Sequence, residues 1–188
     1  MDRTALSRRI YITYKSRINA SERLKKTNSF IQGINIYYSL FLTALSIFSV
    51  SSGTPKLSLV ITVYSVVVTV TIVFLAAQNY GERAKSLKNN YVAIFKLYNH
   101  IQPDMQEDEL QKISDEYNKL IDSSENHTEY DFSKACMGMS DERGKLSARH
   151  KIIYYTTYYG SILLKTFLII FPFLLKYFVD LLEWLITV

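Results

Sequence analysis

The chain is poor in the residues that hold small secreted or metal-bound folds together. It has one cysteine, Cys136, which excludes an internal disulfide and a cysteine-based zinc site. Its three histidines, His100, His127 and His150, lie far apart and never at metal-ligand spacing. Six glycines and three prolines in 188 residues exclude collagen-like and low-complexity classes. No glycine-rich phosphate loop, serine elbow or paired-carboxylate motif is present. No catalytic, cofactor-binding or metal-binding residue is therefore expected, nor a small-molecule substrate, and the chain reads as a non-enzyme. The first 29 residues are too charged for a cleavable signal peptide, and none is expected.

Charge is missing where hydrophobicity is dense. The net charge of +5 and mean hydropathy of +0.03 average unlike parts. Residues 1–29 hold eight Lys or Arg against two acids, and residues 30–81 hold one charge, Lys56. Residues 82–151 hold 11 basic and 13 acidic residues, and residues 152–188 hold two of each. The basic excess belongs to the N-terminal segment, which disfavours a globally basic nucleic-acid binder.

Two uncharged runs, of 29 residues before Lys56 and 25 after it, are each long enough to cross a bilayer, which takes roughly 20 apolar residues. The first span is placed at about Gly33–Val50 and the second at about Leu57–Ala77, joined by the breaker-rich Ser51–Lys56 turn. A pair of buried core helices would need a core larger than this chain can build. Arg17, Arg23, Lys25 and Lys26 precede the hairpin and Arg83, Lys85 and Lys88 follow it, which puts both ends in the cytoplasm.

The tail has opposing features. Residues 157–179 carry 13 Leu, Ile, Phe or Val, worth about −4 to −8 kcal/mol toward insertion. Lys165 and Lys176 oppose that by about 3 kcal/mol each at mid-membrane, less where they snorkel. At 100° per residue Lys165, Lys176, Asp180 and Glu183 fall on one side, with Tyr154, Tyr158, Ser161 and Pro172 near the same line. Either the stripe faces a water-filled space in an oligomer, as a third span, or the helix lies at the membrane surface or on the soluble helices. Weaker stripes mark the hairpin: Asn35, Ser39, Ser46 and Ser49 on the first span, Ser58, Thr62, Ser65 and Thr69 on the second. Helix packing and pore lining are both open for them. The candidate pore or packing face is Asn35, Ser39, Ser46, Thr62, Thr69, Lys165, Lys176 and Asp180.

Beyond the hairpin the helix is expected to run on from Tyr80. Leu87, Tyr91, Ile94, Tyr98 and Ile101 step by 4, 3, 4, 3, and Leu110, Ile113, Tyr117 and Leu120 by 3, 4, 3. Asp104 with Glu107 is the predicted capping box between these helices, and Thr128 with Asp131 that of a short helix ending near Met137–Ser140. Leu6, Ile10, Tyr14 and Leu24 can add an N-terminal helix. The expected fold is all-α, a membrane hairpin continuing into a cytoplasmic antiparallel helical bundle. Its parts are 1–29, 30–81, 82–151 and the apolar helix 152–188.

At these residues the chain resembles a known family. The basic helix, the two-span hairpin, the run AKSLKNNYVAIFKLYN, a proline-broken helix and YNKLIDSSENHTEYDF are similar to SLATT domains over about residues 5–135. The closest likeness is to the subgroup encoded beside reverse transcriptases. The resemblance implies a bacterial inner-membrane effector of antiphage defence. Such proteins are thought to oligomerise and permeabilise the membrane when a partner, here a reverse transcriptase with its RNA or DNA product, senses infection. The alternative is a non-conducting anchor or scaffold for a cytoplasmic partner. The family signature Glu125, Asn126, His127, Tyr130 and Asp131 is read as a buried polar corner. Arg8, Arg9, Lys15, Arg17, Arg23, Lys25 and Lys26 are candidates to hold anionic lipid, to bind a nucleic-acid-containing partner, or only to set topology.

Overall fold

The computed structural model describes the backbone of residues 2–52 and 55–187, and the side chains of 2–51, 58–174 and Tyr177. The chain forms α1 (Arg3–Ser52), α2 (Pro55–Ala76), α3 (Tyr80–Asn99), α4 (Glu107–Asp122), α5 (Glu129–Met137), α6 (Ser140–Arg143) and α7 (Ala148–Thr187). There is no strand among the described residues. It divides into a polar unit (Met1–Thr27 with Tyr80–Tyr158) and an apolar unit (Asn28–Asn79 with Tyr159–Val188).

The basic segment and the first span are one helix. Neither Gly nor Pro interrupts residues 20–32, so the jump in charge near residue 29 changes the surroundings of α1 and not its backbone. In the polar unit α1 is the central helix. Leu6 and Ile10 are buried against Ile94, Leu97, Leu110, Ile113 and Tyr117, while Ala20 and Leu24 pack with Ala84 and Leu87. Both heptad-like runs thus supply the walls of this core.

Two local expectations differ from the structure. α2 and α3 are separate helices, since residues 77–79 form a turn in which Asn79 has φ 50°. Asparagine tolerates that left-handed conformation better than most residues. The cap of α4 is Gln106, not Asp104. The Gln106 backbone N–H donates to the Glu109 carboxylate at 3.3 Å. Asp104 lies two residues too early because residues 103–104 are occupied by a turn. Thr128 does cap α5: Asp131 N–H reaches the Thr128 hydroxyl, and Thr128 N–H returns to the Asp131 carboxylate at 3.1 Å.

Candidate functional site

In the apolar unit the decisive geometry surrounds Pro172, inside α7 and buried. Proline has no N–H, so the Leu168 carbonyl one turn back loses its helical donor, and the ring crowds the neighbouring carbonyl. Two tyrosines of α1 donate to this stretch of carbonyls, one of them to the carbonyl that lost its donor. The Tyr38 hydroxyl donates to Leu168 O and the Tyr37 hydroxyl to Ile169 O, each at 2.8 Å. In hydrocarbon an unsatisfied carbonyl costs several kcal/mol. The pair therefore fixes the register of α7 on α1. Tyr64 of α2 comes within 6.2 Å of the Tyr38 ring and 6.1 Å of Phe171, so the three helices meet around aromatic rings.

Lys165 does not stand free on its stripe. Its ammonium lies 5.3 Å from the ring centroid of Phe30, near the start of the apolar stretch of α1. A half-buried lysine held this way is a snorkelling, cation–π-bound group. The side chains of Lys176 and Asp180 lie outside the described residues.

Most polar residues of the two hairpin stripes face outward, but Ser49 is buried and Ser65 half-buried. Asn35, Ser39, Ser46, Thr62 and Thr69 are all exposed in the single chain. Thr62 and Thr69 bond back to the carbonyls of Ser58 and Ser65 in their own helix, and Ser39 reaches Asn35 at 3.5 Å. Gln32 and Thr43 are exposed too, and at 100° per residue they lie with Asn35, Ser39 and Ser46. Neither is among the candidates named from the sequence, although the same angular arithmetic reaches both. One outward polar stripe therefore runs from Gln32 to Ser46, flanked by exposed Ile36, Leu40 and Ile47.

In the polar unit the expected buried corner holds for Asp131, which meets a basic residue of α1, whereas Glu125, His127 and Tyr130 are half-buried and Asn126 is exposed. The Asp131 carboxylate is fully buried. It accepts both Nε and Nη2 of Arg23 at 2.9 Å, the Thr128 hydroxyl at 2.7 Å and the Thr128 N–H. This hydrogen bonding holds Arg23 above its ordinary pKa. Glu125 pairs with Arg83 of α3 at 2.7 Å, Asn126 accepts the His127 N–H, and Tyr130 stacks on Tyr154 of α7 at 5.9 Å.

Arg17 is the most enclosed member, at 0% exposure. Its guanidinium donates to Asn90 Oδ1, to Leu120 O at 3.2 Å and to Ile121 O at 3.1 Å. It thus satisfies carbonyls that the end of α4 leaves open, at the negative pole of that helix. Burial pushes its pKa down, and burial followed by the charge of Arg17 pushes His127 down. Arg17 Nε, Glu125 Oε1 and His127 Nδ1 are enclosed without a hydrogen-bond partner among the described residues.

The candidate lipid or partner contacts therefore divide. Arg17 and Arg23 are committed inside the fold. Arg8 pairs with Glu142 at 2.5 Å, Arg9 lies 4.8 Å over Tyr117, and Lys15 lies 5.4 Å over Tyr11. Lys25 and Lys26 are exposed. An open cleft of about 760 Å³ beside α1 is lined by Arg3, Arg8, Tyr11, Tyr98, Glu142 and Lys145. Its cations are already engaged, Arg3 with the Gln102 carbonyl and Arg8 and Lys145 with Glu142.

Three helices long and apolar enough to cross a membrane, joined to a polar helical unit, define an integral membrane protein built of two helical parts. The chain belongs to the SLATT proteins: the model of the SMODS and SLOG-associating 2TM effector domain family 5 matches residues 2–178. Membership makes it a membrane effector of antiphage defence, from a family not known for enzymes. The match runs past residue 135 and takes in most of α7. The comparisons with curated proteins and with solved structures return no match.

Proposed function

We propose that this effector acts by permeabilising the bacterial inner membrane as an oligomer. The polar unit and N-terminus lie in the cytoplasm and α7 is a third span. The observation that supports this is the outward polar stripe Gln32–Asn35–Ser39–Thr43–Ser46. In one copy these groups meet lipid, where polar side chains are unfavourable. Copies arranged with the stripes inward bring them together around a polar pathway. The clamp at Pro172 supports the third span, since a hydroxyl pair on main-chain carbonyls matters most where water cannot replace it. The trigger reaches the polar unit through a cytoplasmic partner, for which a reverse transcriptase with its nucleic-acid product is the proposal carried by the subgroup likeness.

The anchor reading draws on the hydroxyls of Thr62 and Thr69, which are satisfied within α2 and need no water. Expression under the trigger separates the two. Permeabilisation predicts loss of membrane potential before loss of viability. A potential that persists while infection is still blocked favours the anchor.

A further inference from the structure

The polar unit exposes large apolar side chains at one place outside α7. Among the described residues these are Val92 and Phe95 of α3, each 40% exposed. Phe95 is not a loose surface ring. It stacks on Tyr14 of α1 at 4.8 Å and lies 6.5 Å from Tyr98, so it is held up from the surface by a packed aromatic base. Lys85, Lys88 and Lys96 are exposed on the same outward side of α3, opposite buried Leu87 and Ile94. A rigid apolar pair rimmed by cations has the anatomy of an interface core, not of a solvated face.

The neighbouring helix carries the complement. α3 has four cations and one anion, whereas α4 has six anions and two cations. On the outward side of α4, opposite buried Ile113 and Tyr117, stand exposed Asp108, Lys112, Asp115, Lys119 and Asp122. The three aspartates, seven residues apart, carry negative charge along the length of this side. The stems of Lys112 and Lys119 offer aliphatic cover and a cation–π partner to an aromatic ring.

We infer that the Lys85–Lys88–Val92–Phe95–Lys96 face of α3 docks on the Asp108–Asp115–Asp122 face of α4 in a second copy of this chain. The two faces differ, so the contact is head-to-tail, the type that closes into a ring when the rotation between copies allows. The inference rests on the oligomeric effector proposed above and names the contact that builds it.

Charge exchange tests it on the full-length protein in detergent micelles, with oligomer mass read by light scattering and chemical crosslinking. One variant carries Lys85→Glu, Lys88→Glu and Lys96→Glu, and the other Asp108→Lys, Asp115→Lys and Asp122→Lys. Each alone sets like charges face to face, and its oligomer fraction is expected to fall by about tenfold or more. Combined in one chain, the six substitutions present opposite charges at every contact whatever the number of copies, and wild-type mass is expected to return. That recovery also shows that the charge changes leave the chain folded. Wild-type mass in either triple variant, or no recovery in the combined one, overturns the contact while leaving the proposed function intact. A wild-type protein that never forms oligomers overturns both.

Discussion

Tyr38 on α1 supplies the hydrogen bond that Pro172 takes from α7, donating to the Leu168 carbonyl 130 residues away in the chain. Tyr37 adds a bond to the neighbouring Ile169 carbonyl, whose helical donor at position 173 the proline does not remove. The proline is tolerated because another helix completes its backbone, and the helix pair is specified because the proline is there.

This coupling predicts non-additivity. Tyr38→Phe is expected to destabilise the apolar unit by about 1–2 kcal/mol, the cost of a carbonyl left unsatisfied. In a Pro172→Ala background, where the helix regains its own N–H, the same substitution is expected to cost almost nothing. Unfolding in micelles across the four proteins of the double-mutant cycle gives the coupling directly.

Arg17 predicts an asymmetry between two conservative changes. Its fork serves two carbonyls and Asn90 at once, which a single ammonium cannot reproduce. Arg17→Lys is expected to lose about 2–4 kcal/mol of polar-unit stability, nearly as much as Arg17→Met. Lys25→Met, at an exposed site, is expected to change the thermal midpoint little.

His127 predicts an acid sensitivity of known sign. Burial and Arg17 hold it below the ordinary value of 6.5, so below pH 6.5 the unfolded chain binds the proton more readily than the folded one. Its contribution is complete above pH 6.5 and is lost as the pH falls from 6.5 toward the depressed folded value. His127→Gln is expected to narrow the drop in thermal midpoint between pH 7 and 5. An unchanged drop assigns the acid sensitivity to other groups.

Lys165 and the α1 stripe predict opposite outcomes for permeation. Lys165 is engaged with Phe30, so Lys165→Met is expected to leave triggered dye release from cells near the wild-type rate. Thr43→Val with Gln32→Leu, on the outward stripe, is expected to reduce it.

What the sequence made legible was local. Thr128 and Asp131 lie three residues apart, close enough for their capping box to be read directly. The apolar runs gave the long helices, because span length depends only on consecutive residues. The same reasoning misplaced the cap of α4, since Asp104 and Gln106 both suit a helix start and only the path of the turn separates them. Arg23 and Asp131 are 108 residues apart, and nothing in either neighbourhood announces their pairing. The basic run of α1 could be counted. That Arg17 and Arg23 point into the fold, while Lys25 and Lys26 stay outside, depends on the packing of α4 and α5 around them.

The most direct test of the central claim is ion flux from cells that express the full-length chain under the trigger, with wild type set against Asn35→Leu combined with Ser39→Leu. Those substitutions make the middle of the outward stripe as apolar as its flanks and leave the clamp at Tyr37 and Tyr38 untouched. The account predicts flux from the wild type and its loss in the variant, with equal protein incorporated and equal thermal stability. Equal flux from both would contradict it.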